Sequence, residues 1–575
     1  MPPRRWRWPR ALGLLLWLVL VTWPTTALFS EELMAAPGEE AATHLWGHTA
    51  ALRGEGPLHL QTTALGWPGG QAFPLIDPGA LPLVAVGRAI GGPIGGYNVL
   101  VLCGVILAGL AGAAWAQRLG LQRTPAAALA MAAPALSAGF TEGMTEGFLV
   151  GLVPLQLAVA ERACRSGGWA RGIGAALLLA GCAAIGPYNA LWAAVLNIGM
   201  GAVLLLRGAR ARAALGRLMV ITFAGLLLSA PFTAAALEDR AGRSGGAQQR
   251  GLPAAVDLPE AFRGGLPYGL DLLDAALPLP LTGGAPAVSH TGYLGLSLLV
   301  LALVGLHRRP QAWPLAAAAV LLWTLSLGPL LSLGGTVQTI AGHDVLTPVG
   351  WATWAAPALG RVQRWYRAAA AIGPLLAALA VLGLPRQPGA RALVLALCAV
   401  DLLLLGPQAW PLRHTPPPHT PAAVLQHENP AQPAIMELPP TTTGPPPPGG
   451  WRDETALQQA IHGKPVAGTI MNAPMSKPVM RAQHQLMKAL PQGAPLHAPL
   501  AELHRLGFGL LWLHTDRLRF PPESLAALAA CLGPAVDSGP AHQVFALHAG
   551  GCATEAAPLV HDTGVFPGPE HPAGR

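Results

Sequence analysis

Long apolar stretches separated by short polar ones run through the first 410 residues. A helix that crosses a membrane needs roughly 20 mostly apolar residues, and it tolerates glycine and proline. The pattern therefore predicts an α-helical polytopic membrane protein with about eleven spanning helices. Their centres lie at residues 11–29, 93–117, 125–140, 147–161, 172–186, 190–206, 218–236, 291–306, 313–333, 368–384 and 392–410.

The first of these segments has two interpretations. Arginines between positions 4 and 10, followed by the apolar run 11–21, are typical of a secretory signal peptide. The apolar run continues to Phe29 without a clean small-residue cleavage site, which favours an uncleaved membrane anchor. In either case, the loop that follows faces the same side of the membrane.

Arginine is concentrated in every second loop between the predicted helices. The short loops 141–147 and 186–189, on the other side, contain neither lysine nor arginine. Since cytoplasmic loops carry an excess of these residues, the N-terminus is predicted to be cytoplasmic and the C-terminal 165 residues to lie outside. The loop arginines are Arg4, Arg5, Arg7, Arg10, Arg118, Arg123, Arg162, Arg165, Arg171, Arg207, Arg210, Arg212, Arg217, Arg308, Arg309, Arg386 and Arg391.

Composition agrees with a membrane protein. Hydrophobic residues make up 52% of the chain and charged residues 11%, whereas soluble proteins carry roughly 25% charged residues. This excludes a disordered, collagen-like or small disulfide-rich protein. The net charge is +9 over residues 1–410 and −1 over 411–575. Because the arginines form short clusters between apolar segments, the basic character indicates membrane topology, and nucleic acid is excluded as a partner.

Four segments on the predicted outer side are too long to be turns, which places the function on that side. They are residues 30–79, 237–290, 334–367 and 411–575. Short apolar strands alternate with helices in the last of them, so 411–550 is predicted to be an α/β domain and 551–575 a disordered tail. The predicted strands are 434–438, 465–470, 508–514 and 542–547, and the helices lie near 453–462, 477–490, 498–506 and 522–532.

Cysteine usage fits an oxidising compartment on the outer side. Cys531 and Cys552 are the two cysteines of the outer domain, and we predict a disulfide between them. The chain has no CxxC or HExxH motif, so no zinc site is predicted.

All five tyrosines fall at the predicted outer interface or in outer loops. One interpretation is a belt of aromatic side chains that anchors helix ends, and the other is an aromatic-lined pocket for a sugar or lipid. The five are Tyr97, Tyr188, Tyr268, Tyr293 and Tyr366.

Short motifs in the outer segments follow an order that resembles bacterial polytopic glycosyltransferases of the GT-C superfamily, including YfhO-type membrane proteins. The resemblance covers most of the chain and depends on motif order and topology. The motifs are 39–46 (EEAATHLW), 66–69 (GWPG), 272–278 (LLDAALP), 293–295 (YLG), 326–329 (SLGP), 361–367 (RVQRWYR), 435–439 (IMELP) and 462–470 (HGKPVAGTI).

This resemblance implies an inverting transfer of a sugar from a polyprenyl-phosphate carrier to a glycan or lipid acceptor at the outer face of a bacterial cytoplasmic membrane. The resemblance implies no certain cofactor and is compatible with a divalent cation. A transporter or flippase of lipid-linked glycans would also need a large helical bundle with internal charges. A relative that only binds glycan or lipid is the third alternative.

Transfer to a hydroxyl group needs a carboxylate that takes the proton. Members of the resembled group commonly carry an aspartate in the first outer loop, where this chain has Glu39 and Glu40. Glu40 is the first candidate for the base and Glu39 the second. The alternative is that both are charges at a helix N-terminus.

The leaving phosphate needs preorganised cations. Arg361, Arg364 and Arg367 are spaced by three residues, which predicts one helical face at the outer edge of the tenth helix. The alternative is that they are arginines snorkelling at the membrane interface.

Further acidic residues have two interpretations each. Glu142 and Glu146 could bind a cation or an acceptor sugar, or could lie at a solvated hairpin tip. Asp77 could supply a second carboxylate, or could be part of a turn signal. Asp401 is predicted inside a spanning helix, facing the bundle, where an arginine could pair with it, and no catalytic role is assigned to it.

Overall fold

A computed structural model describes most of the chain and divides it into two compact units. The first unit comprises Met1–Leu60 and Phe73–Pro417, and the second comprises Gln61–Ala72 and Pro418–Arg575. The described residues are 8–23, 32–35, 40–55, 59–74, 77–133, 143–206, 211–243, 269–277, 292–334, 336–341, 343–356, 359, 364–406, 412, 414–439, 454–469, 475–517, 520–549 and 552.

The first unit is predominantly helical. Its helices are α1 (Trp8–Val21), α2 (Ala41–Ala50), α3 (Leu81–Arg118), α4 (Arg123–Ala132), α5 (Thr145–Phe148), α6 (Leu152–Ser166), α7 (Trp169–Ile185), α8 (Pro187–Leu206), α9 (Arg212–Arg243), α10 (Leu296–Arg308), α11 (Trp313–Ser326), α12 (Pro348–Ala355), α13 (Ile372–Gly383) and α14 (Pro388–Leu404). Short strands of this unit pair in two hairpins, β3 (Ser332–Leu333) with β4 (Thr336–Val337), and β5 (Thr339–Ile340) with β6 (His343–Asp344). The strands β1 (His59–Thr62) and β2 (Gln71–Pro74) also pair, and they include residues at both ends of the segment 61–72, which belongs to the second unit.

Each of the eleven apolar segments predicted to span the membrane contains a helix in the structure. Among the described residues, five helical segments are long and apolar enough to cross a membrane. The helical membrane fold is therefore confirmed. The five are Pro78–Arg118, Thr145–Ser166, Pro187–Leu206, Arg212–Ala234 and Trp365–Gly383, and shorter apolar helices of this unit are Ala11–Val21, Trp169–Ile185 and Leu296–Arg308.

Helix α3 begins at Leu81, whereas the sequence pattern predicted its start at residue 93. Gly91 and Gly92 interrupt its helical backbone, and Gly92 has a φ of 63°. Pro93 follows this interruption and has no amide hydrogen to donate. The helix is therefore broken at the position that the sequence pattern indicates, and the chain is helical on both sides of the break.

Small residues let the helices of this unit approach closely. A Cβ added at Gly112 of α3 would lie 2.6 Å from the Ala130 side chain of α4, and one at Gly305 of α10 would lie 2.4 Å from the Leu379 carbonyl oxygen of α13. Such contacts favour helix association in a membrane, where apolar burial contributes little.

Asp401 is buried on α14 and contacts α10 instead of an arginine. The Tyr293 hydroxyl donates a hydrogen bond to one carboxylate oxygen, and the Ser297 amide donates to the other at 2.7 Å. An amide at the start of a helix and a hydroxyl therefore satisfy this carboxylate without a guanidinium.

The second unit is a small α/β fold, as predicted. Its sheet has the order β7-β8-β10-β9, in which β7 runs parallel to β8 and the other pairs are antiparallel. The strands are β7 (Ala434–Leu438), β8 (Phe508–His514), β9 (Asp537–Gly539) and β10 (His542–Ala546), and the helices are α15 (Ala422–Leu425), α16 (Glu454–His462), α17 (Lys477–Gln492), α18 (His497–Arg505) and α19 (Pro522–Leu532).

One predicted strand of this unit is absent from the described sheet. Within residues 465–470, Val466 forms an isolated bridge with Ile435. Its backbone amide donates instead to the Ala64 carbonyl at 2.9 Å, and its carbonyl accepts from the Trp67 amide at 3.0 Å. The segment 61–72, predicted to be part of an outer loop, thus takes the hydrogen bonds that would extend a strand at this position.

Cys531 of α19 forms a disulfide with Cys552. The predicted disordered tail, apart from Cys552, lies outside the described residues.

Candidate functional site

Helix α2 places two histidines on one buried face of the first unit. His44 and His48 are four residues apart, so their side chains are neighbours along the helix, and their ring centroids lie 6.4 Å from each other. The exposed fractions are 3% for His44 and 1% for His48. Buried polar groups need partners, and acidic and hydroxyl side chains from other elements supply them.

Asp77 is the first of these partners. Its Oδ1 lies 2.8 Å from His48 Nε2, and its Oδ2 accepts a hydrogen bond from the Thr145 hydroxyl. The Thr145 oxygen lies 2.8 Å from His44 Nδ1, so this hydroxyl connects Asp77 to the second histidine. The arrangement connects α2 with the start of α5 through Asp77, which directly precedes the 3₁₀ turn Pro78–Ala80 that leads into α3.

Burial by itself would raise the pKa of Asp77, because the carboxylate is removed from water. The positive charge and hydrogen bond of His48, the charge of His44 and the hydrogen bond from Thr145 act in the opposite direction and hold its pKa below the usual value. Asp77 is therefore ionised at neutral pH.

Glu146 and Arg367 form a second, buried ion pair. The Arg367 guanidinium donates to Glu146 Oε1 at 2.6 Å, and the side chains are 11% and 5% exposed, respectively. The other Glu146 oxygen lies 3.4 Å from His44 Nε2, which connects the pair to the histidine network. Arg367 also lies over the Tyr188 ring, 5.0 Å from its centroid, which is cation–π geometry.

Glu40 and Arg364 form the most exposed pair of this cluster. Arg364 donates to Glu40 Oε1 at 3.3 Å, and the side chains are 36% and 20% exposed, respectively. The guanidinium also lies 3.5 Å from Met144 Sδ, and Met144 in turn contacts Arg367. A charged pair that solvent can reach therefore adjoins a buried network of opposite charges.

The structure brings together six residues that the sequence analysis singled out. They are Glu40, Asp77, Glu146, Tyr188, Arg364 and Arg367. Glu39, Glu142 and Arg361 lie outside the described residues. His44, His48 and Thr145 are members of the cluster to which the sequence analysis gave no role.

The predicted helical face of arginines is wrong for the part that the structure describes. Arg364 has φ −115° and ψ 61°, which is not helical, and it directly precedes a 3₁₀ segment, Trp365–Ala371, that contains Arg367. The two guanidiniums become neighbours because both contact Met144, and not because they share a face of an α-helix. Within the described parts of the chain, no group of three or more His, Cys, Asp or Glu side chains is arranged to hold a metal ion.

The second unit contains a separate buried polar layer that the sequence analysis did not find. Glu437 of β7 and Trp512 of β8 are register partners and share a face of the sheet, and Thr455 of α16 donates to Glu437 Oε2 at 2.9 Å. Glu454 of α16 pairs with Arg517. Among the described residues, Glu437 Oε1 and Trp512 Nε1 have no hydrogen-bond partner, so this layer is incompletely satisfied.

This layer predicts that the stability of the second unit depends on Glu437 ionisation. Burial, with a further contribution from the Glu454 charge, raises the pKa of Glu437 from 4.5 to about 7. The folded unit thus holds a proton that the unfolded chain releases, and this contribution to stability is present below pH 4.5 and lost as the pH rises through 7. Replacing Glu437 with Gln should therefore raise the free energy of unfolding at pH 8, by roughly 3 kcal/mol at most.

Denaturant titrations of the full-length protein at pH 4.5, 6 and 8 measure this difference. The gain from Glu437→Gln should grow with pH and disappear at pH 4.5. Burial lowers the pKa of His514 to about 3, but that group is present in both proteins and cancels from the difference. A gain that is the same at all three pH values would contradict the assignment, and Glu502→Gln, which alters an exposed carboxylate, is the control.

No protein-family model matches the chain, and no curated protein matches it. Among solved structures, the chain is similar to the arabinofuranosyltransferase AftD from Mycobacteria, with 17% identity over 94% of this chain and 40% of that chain, and a TM-score of 0.47. It is also similar to ArnT from Cupriavidus metallidurans bound to undecaprenyl phosphate, with 12% identity over 94% of this chain and 98% of that chain, and a TM-score of 0.36. These scores do not identify a family, so the function is inferred from the residues of the site.

Proposed function

We propose that this protein is a membrane glycosyltransferase of the GT-C type that uses a polyprenyl-phosphate sugar as donor. The acceptor is a hydroxyl group of a glycan or lipid at the outer face of a bacterial cytoplasmic membrane. The Glu40–Arg364 pair is the observation that carries this proposal, because it places a carboxylate and a solvent-accessible guanidinium 3.3 Å apart in a membrane protein. The reaction needs one group of each kind.

Glu40 serves as the general base in this proposal. The acceptor oxygen forms a bond to the anomeric carbon while its proton passes to the Glu40 carboxylate. The bond between the anomeric carbon and the phosphate oxygen breaks, and the polyprenyl phosphate leaves with the electron pair. Attack from the side opposite the leaving group inverts the anomeric carbon.

Arg364 holds the phosphate of the donor and stabilises the charge that develops as the bond breaks. In the structure, this guanidinium is paired with Glu40. A bound phosphate competes for the same donors and thereby loosens Glu40 from its partner. The base is thus released when the donor is in place.

The buried part of the cluster has a supporting role. Arg367, Glu146 and His44 form a chain of charge contacts at 2.6 Å and 3.4 Å. Their burial fixes their positions, and this fixed charge network keeps Glu40 and Arg364 in a reactive geometry. Tyr188, stacked with Arg367, offers an aromatic surface beside this network for the sugar ring.

The proposal is tested with purified full-length protein in nanodiscs and a panel of radiolabelled polyprenyl-phosphate sugars. Wild-type protein should transfer label to an acceptor from at least one donor. Arg364→Gln should lower the transfer rate by about 10²-fold, since one preorganised donor to a developing charge contributes on that scale. Arg505→Gln removes an exposed arginine of the second unit and is the matched control. Saturable binding of the carrier without transfer from any donor would instead indicate a carrier-binding protein or a flippase.

A further inference from the structure

A cavity of about 450 Å³ lies within the first unit, away from the cluster described above. It is formed by the C-terminal ends of α3 and α6, the second half of α8 and the first half of α11. The Tyr97 hydroxyl of α3 donates to the Gly143 carbonyl, directly before Met144 and Thr145 of the cluster. Between Tyr97 and Arg118, that helix rises by about 1.5 Å per residue and so spans roughly 32 Å. The cavity is therefore a separate site.

Most of the cavity wall is apolar. Leu157 of α6, Leu196 and Val203 of α8, and Leu321 of α11 are among the side chains that line it. An apolar cavity of this kind does not hold water, because water there finds no hydrogen-bond partners. These helices include three of the membrane-spanning candidates, so hydrocarbon from the surrounding lipid is the medium available to fill it.

Charged side chains surround one end of the cavity. Arg118 donates hydrogen bonds to both oxygens of Glu161, and Arg165 contacts the same carboxylate. Arg309 also lines the cavity and donates to the carbonyl of Leu119, the residue after Arg118, at 3.1 Å. The charged side chains that line the cavity are thus three arginines and one glutamate, which leaves an excess of two positive charges.

This combination matches the chemistry of one class of molecule. An acyl chain requires an apolar cavity, and a phosphodiester headgroup requires cations at its end. Arg165 is 58% exposed and its pairing to Glu161 is shared with Arg118, so it can turn to a phosphate while Glu161 keeps a partner. The four charged residues also lie in loops or at helix ends, which the positive-inside rule assigns to the cytoplasmic side. They are Arg118, Glu161, Arg165 and Arg309.

We propose that this cavity binds an anionic diacyl phospholipid of the cytoplasmic leaflet. One acyl chain occupies the space between α6, α8 and α11, and the phosphate contacts Arg165 and Arg309. This lipid is distinct from the sugar carrier, whose phosphate must reach Arg364 at the other side of the membrane. The site does not depend on the proposed transfer reaction.

Lipid binding to delipidated full-length protein, measured by native mass spectrometry, tests this proposal. Phosphatidylglycerol should bind saturably with one tight site, and phosphatidylcholine of the same chain length should bind at least about tenfold more weakly. Arg165→Gln combined with Arg309→Gln should weaken the phosphatidylglycerol site by about tenfold or more. The matched control is Arg162→Gln combined with Arg171→Gln, which removes the same charge from exposed arginines that do not line the cavity.

A second variant tests the apolar part without changing the charge. Ala318→Phe places a ring inside the cavity and should abolish the tight site while the protein keeps its monodisperse elution profile. Equal losses in the two double variants would overturn the proposal, as would equal affinity for the two phospholipids. Displacement of phosphatidylglycerol by an equimolar amount of polyprenyl phosphate would reassign the cavity to the carrier.

Discussion

Replacing Glu40 with Gln is expected to slow sugar transfer by about 10²- to 10⁴-fold, the range that a general base contributes. The amide has the size of the carboxylate and can still accept a hydrogen bond from Arg364, which now lies 3.3 Å from Glu40 Oε1. It cannot take a proton from the acceptor at neutral pH. The rate should therefore fall while donor binding is retained.

The measurement is the initial rate of transfer in nanodiscs, together with the dissociation constant for the donor. Glu32→Gln is the informative control, because Glu32 is also a carboxylate of the predicted outer segment 30–79 and it pairs with His414 at 2.6 Å. Its rate should match that of the wild type. An unchanged transfer rate in Glu40→Gln, or a large loss of transfer rate in Glu32→Gln, would contradict the assignment of Glu40 as the base.

Replacing Arg367 with Met should destabilise the first unit by about 3–5 kcal/mol, because it leaves the Glu146 charge buried without its cation. Both side chains are largely shielded from solvent, at 11% and 5% exposed. The remaining contact of Glu146, His44 Nε2 at 3.4 Å, is too long to replace a 2.6 Å guanidinium bond. Removing the carboxylate as well, with Glu146→Leu, should restore much of the loss.

Unfolding in detergent, followed by tryptophan fluorescence, measures these differences. Arg364→Met is the matched control, since it removes an arginine from a pair that solvent screens and should cost about 1 kcal/mol or less. The comparison separates a buried charge from an exposed one on the same short segment. Equal losses in Arg364→Met and Arg367→Met would contradict the difference in burial between the two pairs.

The helical part of the fold was predictable because apolar runs of sufficient length have few alternatives to a helix in a membrane. The start of α3 was not, since the pattern cannot tell a break that ends a helix from the interruption at Gly91 and Gly92 within one. The strands β7 and β8 were predictable from short buried runs. The segment around Val466 was not, because its backbone bonds to a chain segment about 400 residues earlier.

The identity of the charged residues in the site was predictable, since few acidic and basic side chains lie near the ends of the membrane helices. Their pairing was not. Sequence spacing suggested that Arg364 and Arg367 share a helical face, whereas Arg364 has a non-helical backbone. His44 and His48 show helical spacing, but only the position of Thr145 against Asp77 reveals that the histidines belong to one network.

The inclusion of residues 61–72 in the second unit has a consequence for synthesis. Trp67 leaves the ribosome 439 residues before Leu506, whose carbonyl accepts the hydrogen bond of its indole at 2.8 Å. The second unit therefore completes its fold only after Leu506 has been synthesised, around a segment that was made much earlier. A fragment beginning at residue 418 lacks this segment, and we expect it to fold completely only when residues 61–72 are supplied by fusion or as a separate peptide.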